Sequence, residues 1–137
     1  MSGQAIIECV PNFSEGRRPE IIEAIAASIR QVDGVKLLDI DPGKATNRTV
    51  MTMAGSPEQV IEAAFRAIKT AANLIDMRTH TGEHPRMGAT DVCPLIPISN
   101  ISMEETAAYA HTLAKRVGRE LNIPVYMYES AATKPAR

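Results

Sequence analysis

The residues best able to do chemistry fall in one stretch, Arg78 to Thr90, which reads RTHTGEHPRMGAT. It holds two of the three histidines, His80 and His84, together with Glu83, Arg78, Arg86, Gly82 and Gly88. Histidine has an unperturbed pKa of about 6.5, so it can give and take protons near neutrality. Arginine offers a planar fork that matches a carboxylate. A segment carrying both suits proton transfer on an anionic small molecule; the plainer reading is a solvated polar loop. Its length points the same way, because connections much longer than a few residues are commonly functional or disordered.

His80-Thr81-Gly82-Glu83-His84 also fits the inverted zinc-protease pattern H-x-x-E-H. That pattern requires a helix, on which residues four apart share a face and both imidazoles reach one metal. Gly82 weakens a helix midway, and Pro85 pushes His84 out of the helical region. Neither Cys9 nor Cys93 stands near enough in sequence to complete a site, so no metal is expected. Asp39 and Asp41 alternate along an apolar run and so project to one face of a strand, where they could orient a base or hold an amine. Asn12-Phe13-Ser14-Glu15-Gly16 reads as a ligand-binding turn or as the link into a helix. Thr46-Asn47-Arg48-Thr49 reads as an anion contact or as a surface strand. His111, inside a helical pattern, reads as surface or packing.

The elements that must position these groups are legible from periodicity and punctuation. Ala5 to Val10 is apolar and β-branched, and Pro11-Asn12 is expected to end it. Pro19 opens a helix whose apolar residues Ile21, Ile22, Ile25 and Ile29 keep helical spacing up to Gly34. Val35 to Asp41 and Asn47 to Ala54 read as strands about the turn Pro42-Gly43. Ser56-Pro57-Glu58-Gln59 and Ser102-Met103-Glu104-Glu105 are capping-box starts. The first leads a stripe of Val60, Ala64, Ala67, Ala71 and Leu74, the second one of Thr106, Ala110, Leu113, Val117 and Leu121. Val92 to Ile98 contains Pro94 and Pro97, neither of which can donate to a ladder, and is expected at an edge or a bulge. Val125 to Tyr128 reads as a last strand, followed by a small polar tail. The order is β-α-β-β-α-β-α-β, and its first six elements fit the ferredoxin-like split βαβ pattern. The expected architecture is an α+β sandwich: a mainly antiparallel sheet with helices packed on one face.

Composition sets the outer bounds. At 137 residues, 45% hydrophobic and 23% charged, the chain has the balance of one globular domain, taken as residues 1–137. A net charge of −1 gives no global field for phosphate backbones, and with no Trp, two Phe and three Tyr there are few stacking platforms. No nucleic-acid partner is expected. The two cysteines each sit in an apolar run and read as reduced core residues. The start carries no basic leader and no run long enough for a signal peptide or a membrane span, so a cytoplasmic location without membrane contact is expected.

Five blocks then come together in order. Cys9-Val10-Pro11-Asn12-Phe13-Ser14-Glu15-Gly16, Leu38-Asp39-Ile40-Asp41, Thr46-Asn47-Arg48-Thr49-Val50, Gly82-Glu83-His84-Pro85-Arg86-Met87-Gly88-Ala89 and Asp91-Val92-Cys93-Pro94 resemble the N-terminal subdomain of glutamate formimidoyltransferase. The same subdomain opens the bifunctional formiminotransferase-cyclodeaminase, and the likeness runs from about Ile7 to Tyr128. It implies transfer of a formimino group between N-formimino-L-glutamate and tetrahydrofolate, the folate-linked last step of histidine breakdown, with tetrahydrofolate as co-substrate. It implies further that His84 is the catalytic proton shuttle and Asp41 the carboxylate working beside it. Asn12, Arg48 and Arg86 are expected as substrate contacts, the two arginines on grounds of charge. The full transferases continue into a C-terminal subdomain that supplies much of the folate tunnel. Turnover is therefore expected to need that second subdomain, in the same polypeptide or as a separate chain, and a homodimer is expected. The competing expectation is a non-catalytic binding or dimerisation module that keeps the fold.

Overall fold

A computed structural model describes residues 4–43, 45–75 and 90–121. Within them lie β1 (Ile6–Cys9), β2 (Asn12–Phe13), α1 (Pro19–Arg30), β3 (Val35–Gly43), β4 (Arg48–Gly55), α2 (Pro57–Leu74), β5 (Thr90–Val92), β6 (Leu95–Ser99) and α3 (Met103–Leu121). The expected strand at Val125 to Tyr128 falls outside the described residues.

All strand pairs are antiparallel and join in one sheet. The first strand ends at Cys9, ahead of Pro11, as expected, but the chain does not leave the sheet there. Cys9 faces Met53 and Asn12 faces Val50, so β1 and β2 run collinearly along β4 in unbroken register. The proline removes one ladder donor, while its carbonyl still accepts the Met51 N–H at 3.0 Å. The neighbouring strand is split by Pro94 in the same place. Cys9 faces Leu95, Asn12 faces Val92, and the Val10 N–H donates to the Pro94 carbonyl at 3.2 Å. The sheet is therefore four ribbons wide, in the order β3, β4, β1/β2, β6/β5. With α1 leading from the third ribbon to the first, this is the split βαβ arrangement the element order predicts. The proline-bearing strand lies at the edge of the described sheet, with register shifts at Ile6/Ile7 and at Asn12/Phe13.

The core lies on one side of the sheet. Along β4 every second residue is buried, Thr49, Met51, Met53 and Gly55, while the alternate residues are half-buried. Ile7, Cys9 and Phe13 complete that face, and Ile21, Ile25 and Ile29 of α1 and Val60, Ala64, Ala67 and Ala71 of α2 pack into the same core. The small α2 side chains allow close packing against α1. The third helix adds Leu113 and Val117. Its capping box forms as expected: the Glu105 N–H donates to Ser102 Oγ at 3.0 Å and the Ser102 N–H to Glu105 Oε1 at 2.9 Å. The one at Ser56 does not, because Ser56 makes no side-chain cap bond and the Gln59 side chain lies against Gly34 instead. Among the described residues no helix is long and apolar enough to cross a membrane.

Candidate functional site

Residues facing each other in an antiparallel ladder project to the same face. Asp41 faces Val50, and Val50 on its other side faces Asn12. Since Thr49 and Met51 point into the core, this row lies on the opposite face of the sheet, which is open among the described residues. One strand separates Asp41 from Asn12, which sets their backbones about 10 Å apart at the usual strand spacing. Arg48, two residues before Val50, projects to the same side. Three of the expected site residues thus share one face and one end of the sheet. Asp41 is exposed, whereas Arg48 and Asn12 are half-buried.

A bulge puts Asp41 there. Leu37 faces Met53 but Asp39 faces Thr52, so Leu38 is an extra residue and the phase of β3 flips after it. Before the bulge Val35 and Leu37 lie on the core side; after it Ile40 takes that side and Asp39 and Asp41 face outward. Leu38 itself is 55% exposed.

Asn12 carries a feature that sequence reasoning did not foresee. Its side-chain Oδ1 is buried and has no hydrogen-bond partner among the described residues. A buried carbonyl oxygen without a partner is unfavourable unless something else donates to it.

The loop after Asn12 is held from three directions. The buried Glu15 carboxylate accepts the N–H groups of Arg17, at 3.0 Å, and Arg18, at 2.9 Å, closing the chain ahead of α1. The Thr49 hydroxyl donates to the Glu15 carbonyl. The Gly16 N–H donates to Asn47 Oδ1 at 2.9 Å. Glu15, Asn47 and Thr49 therefore have structural roles that fix the end of β2 against the β3–β4 hairpin. Within these two motifs those three residues serve architecture, whereas Asn12 and Arg48 project onto the open face. The only cue in the sequence was that these residues occur in compact polar blocks.

His84 and Arg86 lie outside the described residues, as do His80 and the rest of the zinc-like pattern. The described chain resumes at Thr90, which faces Phe13 beside Asn12. Among the described residues no cluster of three or more His, Cys, Asp or Glu could hold a metal ion. His111 is exposed on α3.

Residues 6–137 match the family described as formiminotransferase domain, N-terminal subdomain. The chain is 54% identical over 132 residues to a formimidoyltransferase-cyclodeaminase of Rattus norvegicus, covering 96% of this chain and 24% of that protein. It is 46% identical over 132 residues to a glutamate formimidoyltransferase of Streptococcus pyogenes serotype M1, again over 96% of this chain but 44% of the relative. A formiminotransferase cyclodeaminase-like protein of Arabidopsis thaliana is 30% identical over 128 residues, 90% of this chain and 43% of its own length. The chain thus spans less than half of each of these relatives. An antiparallel split βαβ sheet, the five sequence blocks in register and these matches agree: the chain belongs to the formiminotransferase family, in its N-terminal subdomain.

Proposed function

We propose that this chain provides one wall of a site that transfers a formimino group between N-formimino-L-glutamate and tetrahydrofolate, in histidine degradation. The observation that carries the reading is the row on the open sheet face, in which Asp41 and Asn12 flank Val50 with Arg48 alongside. That face suits the co-substrate chemically. The Asn12 oxygen and the Asp39 and Asp41 carboxylates accept from the N–H donors of a pterin ring, and half-buried Val10 and Val50 offer apolar surface to its plane. Arg48 and Arg86 supply charge for the carboxylates of formiminoglutamate or of the folate tail.

In this mechanism the folate amine attacks the formimino carbon and gives a tetrahedral intermediate. His84 takes the proton from the attacking nitrogen and returns one to the departing glutamate nitrogen, a role that typically contributes 10²–10⁴-fold. Asp41 orients the imidazole or holds the amine as it becomes cationic. Five residues separate His84 from Thr90 in the sequence, and Thr90 pairs beside Asn12, which supports a role for the histidine at this end of the sheet. A C-terminal subdomain, in the same polypeptide or as a separate chain, forms the second wall, and the protein works as a cytoplasmic homodimer.

The test mixes the chain with both substrates, with and without a separately supplied C-terminal subdomain. Activity on complementation, lost in His84→Ala and lowered in Asp41→Asn, supports the reading. An active complex indifferent to His84→Ala removes the assignment of that histidine. A stable oligomer without transfer under any complementation marks the chain as a binding or dimerisation module instead.

A further inference from the structure

Cys9 and Cys93 are both free, and their sulfurs stand 3.3 Å apart. Cys9 ends β1, and Cys93 lies in the link between β5 and β6 that runs beside it. Cys9 faces Leu95, so Cys93 lies one step along the same face, opposite Pro11. Cys9 is fully buried, whereas Cys93 is half-buried. Both are reduced residues in or against the core, as the sequence predicts, and the fold adds that they form a close pair with one partly accessible member.

The backbone around them has fewer ladder bonds than elsewhere. Pro11 cannot donate toward β4, and Pro94 cannot donate back toward Val10. The thiols therefore sit where the internal ribbon β1/β2 and the neighbouring edge ribbon β6/β5 are each interrupted. Closing to the bonded distance of about 2.05 Å needs a further approach of about 1.2 Å, which side-chain rotation and a small strand shift can supply.

We infer that Cys9 and Cys93 form a reversible thiol–disulfide pair, a modification site whose co-reactant is a peroxide. The inference stands apart from the formimino-transfer reading. The half-exposed Cys93 sulfur, as thiolate, attacks one peroxide oxygen; the O–O bond breaks, hydroxide leaves and takes up a proton as water, and Cys93 becomes a sulfenic acid. The Cys9 sulfur then attacks Cys93 Sγ, forming the S–S bond. The sulfenic hydroxyl departs with the Cys9 proton as a second water. Two thiols and one peroxide give one disulfide and two waters. The order of steps follows from the site: Cys93 is the half-exposed thiol, whereas Cys9 is fully buried, and the hydrogen bond with Cys93 and then burial keep its pKa well above the ordinary value, so Cys9 is the resolving partner. Reduction by a dithiol restores the pair.

The experiment treats the chain with stoichiometric hydrogen peroxide, quenches it in denaturant with an alkylating agent, and maps the peptides without reduction. The expected result is one peptide joining Cys9 to Cys93 within a monomeric chain, lighter by two hydrogens, with titratable thiols falling from two to none and returning with dithiothreitol. Cys9→Ser, with no resolving thiol, should stop at a sulfenic acid on Cys93 that dimedone traps, and pass to sulfinic acid only with a second equivalent of peroxide. The inference is overturned if wild-type protein yields sulfinic acid at Cys93, a disulfide between two chains, or two unreacted thiols.

Discussion

The Gly16 N–H donates to Asn47 Oδ1 across the gap between the β2–α1 loop and the β3–β4 hairpin, at 2.9 Å. Asn47 holds a left-handed conformation, φ 55°, which asparagine tolerates better than most residues. A Cβ on Gly16 would stand 2.5 Å from both the Gly43 and the Arg48 carbonyl oxygens, so backbone on two sides excludes any side chain. Gly16→Ala is expected to destabilise the chain by about 3 kcal/mol, at the upper end of overpacking costs, as measured by urea denaturation. A loss of less than 1 kcal/mol would show that the loop can move off the hairpin.

Glu15 acts on the same loop from within. It is 5% exposed and its carboxylate accepts two backbone N–H groups. Glu15→Ala leaves both donors without that acceptor and should cost about 2 kcal/mol, while Glu15→Gln, which keeps an acceptor oxygen, should cost clearly less. Equal losses in the two variants would show that packing, not the hydrogen bonds, holds the loop.

The two serines that precede α2 and α3 look alike in sequence and differ in structure. Ser102 closes a reciprocal capping box, and Ser56 makes no side-chain cap bond. Ser102→Ala should cost about 1 kcal/mol, and Ser56→Ala only a few tenths. Thermal melts of the two variants, recorded side by side, check the ranking.

Glu62 on α2 links that helix to α3 through Arg116, which donates at 2.7 Å and stacks over the Phe65 ring, and it also accepts from Arg66 one turn along α2 at 2.7 Å. Hydrogen bonds from Arg116 and then Arg66 hold the Glu62 carboxyl below its ordinary pKa of 4.5. A carboxylate with a lowered folded-state pKa adds stability above the ordinary value and loses it as the pH falls through the lowered one. With the side chain 31% exposed, the contribution is about 0.5–1 kcal/mol. Glu62→Gln should therefore lower stability near neutrality and converge on wild type in acid. Parallel stability curves across that range would contradict the linkage.

Asn12 separates a structural role from a ligand-binding one. Its buried Oδ1 has no hydrogen-bond partner among the described residues. Asn12→Ala should change stability by less than about 1 kcal/mol while weakening substrate binding about tenfold in the complemented protein, because it removes an acceptor that the ligand would use. Unchanged KM with unchanged stability would take Asn12 out of the site.

Local chemistry reaches the sequence directly, which is why the helix starts at Pro19 and Pro57, the capping box at Ser102 and the alternating β4 residues could all be read without a fold. The end of β1 before Pro11 was legible as well, but not that β2 resumes along β4 in the same register, because that continuity is set by the partner strand. The pairing of Cys9 with Cys93 and the approach of Gly16 to the hairpin join residues far apart in the chain, and no local signal encodes them. The clearest case is Asp41. Alternation alone places Asp39 and Asp41 on one face, but it equally places them on the face of Val35 and Leu37, which is the core. The extra residue at Leu38 reverses that phase, because side chains along a strand repeat every two residues and a single insertion exchanges the faces. Sequence fixed which residues travel together; the sheet register decided that the carboxylates look outward, beside Asn12.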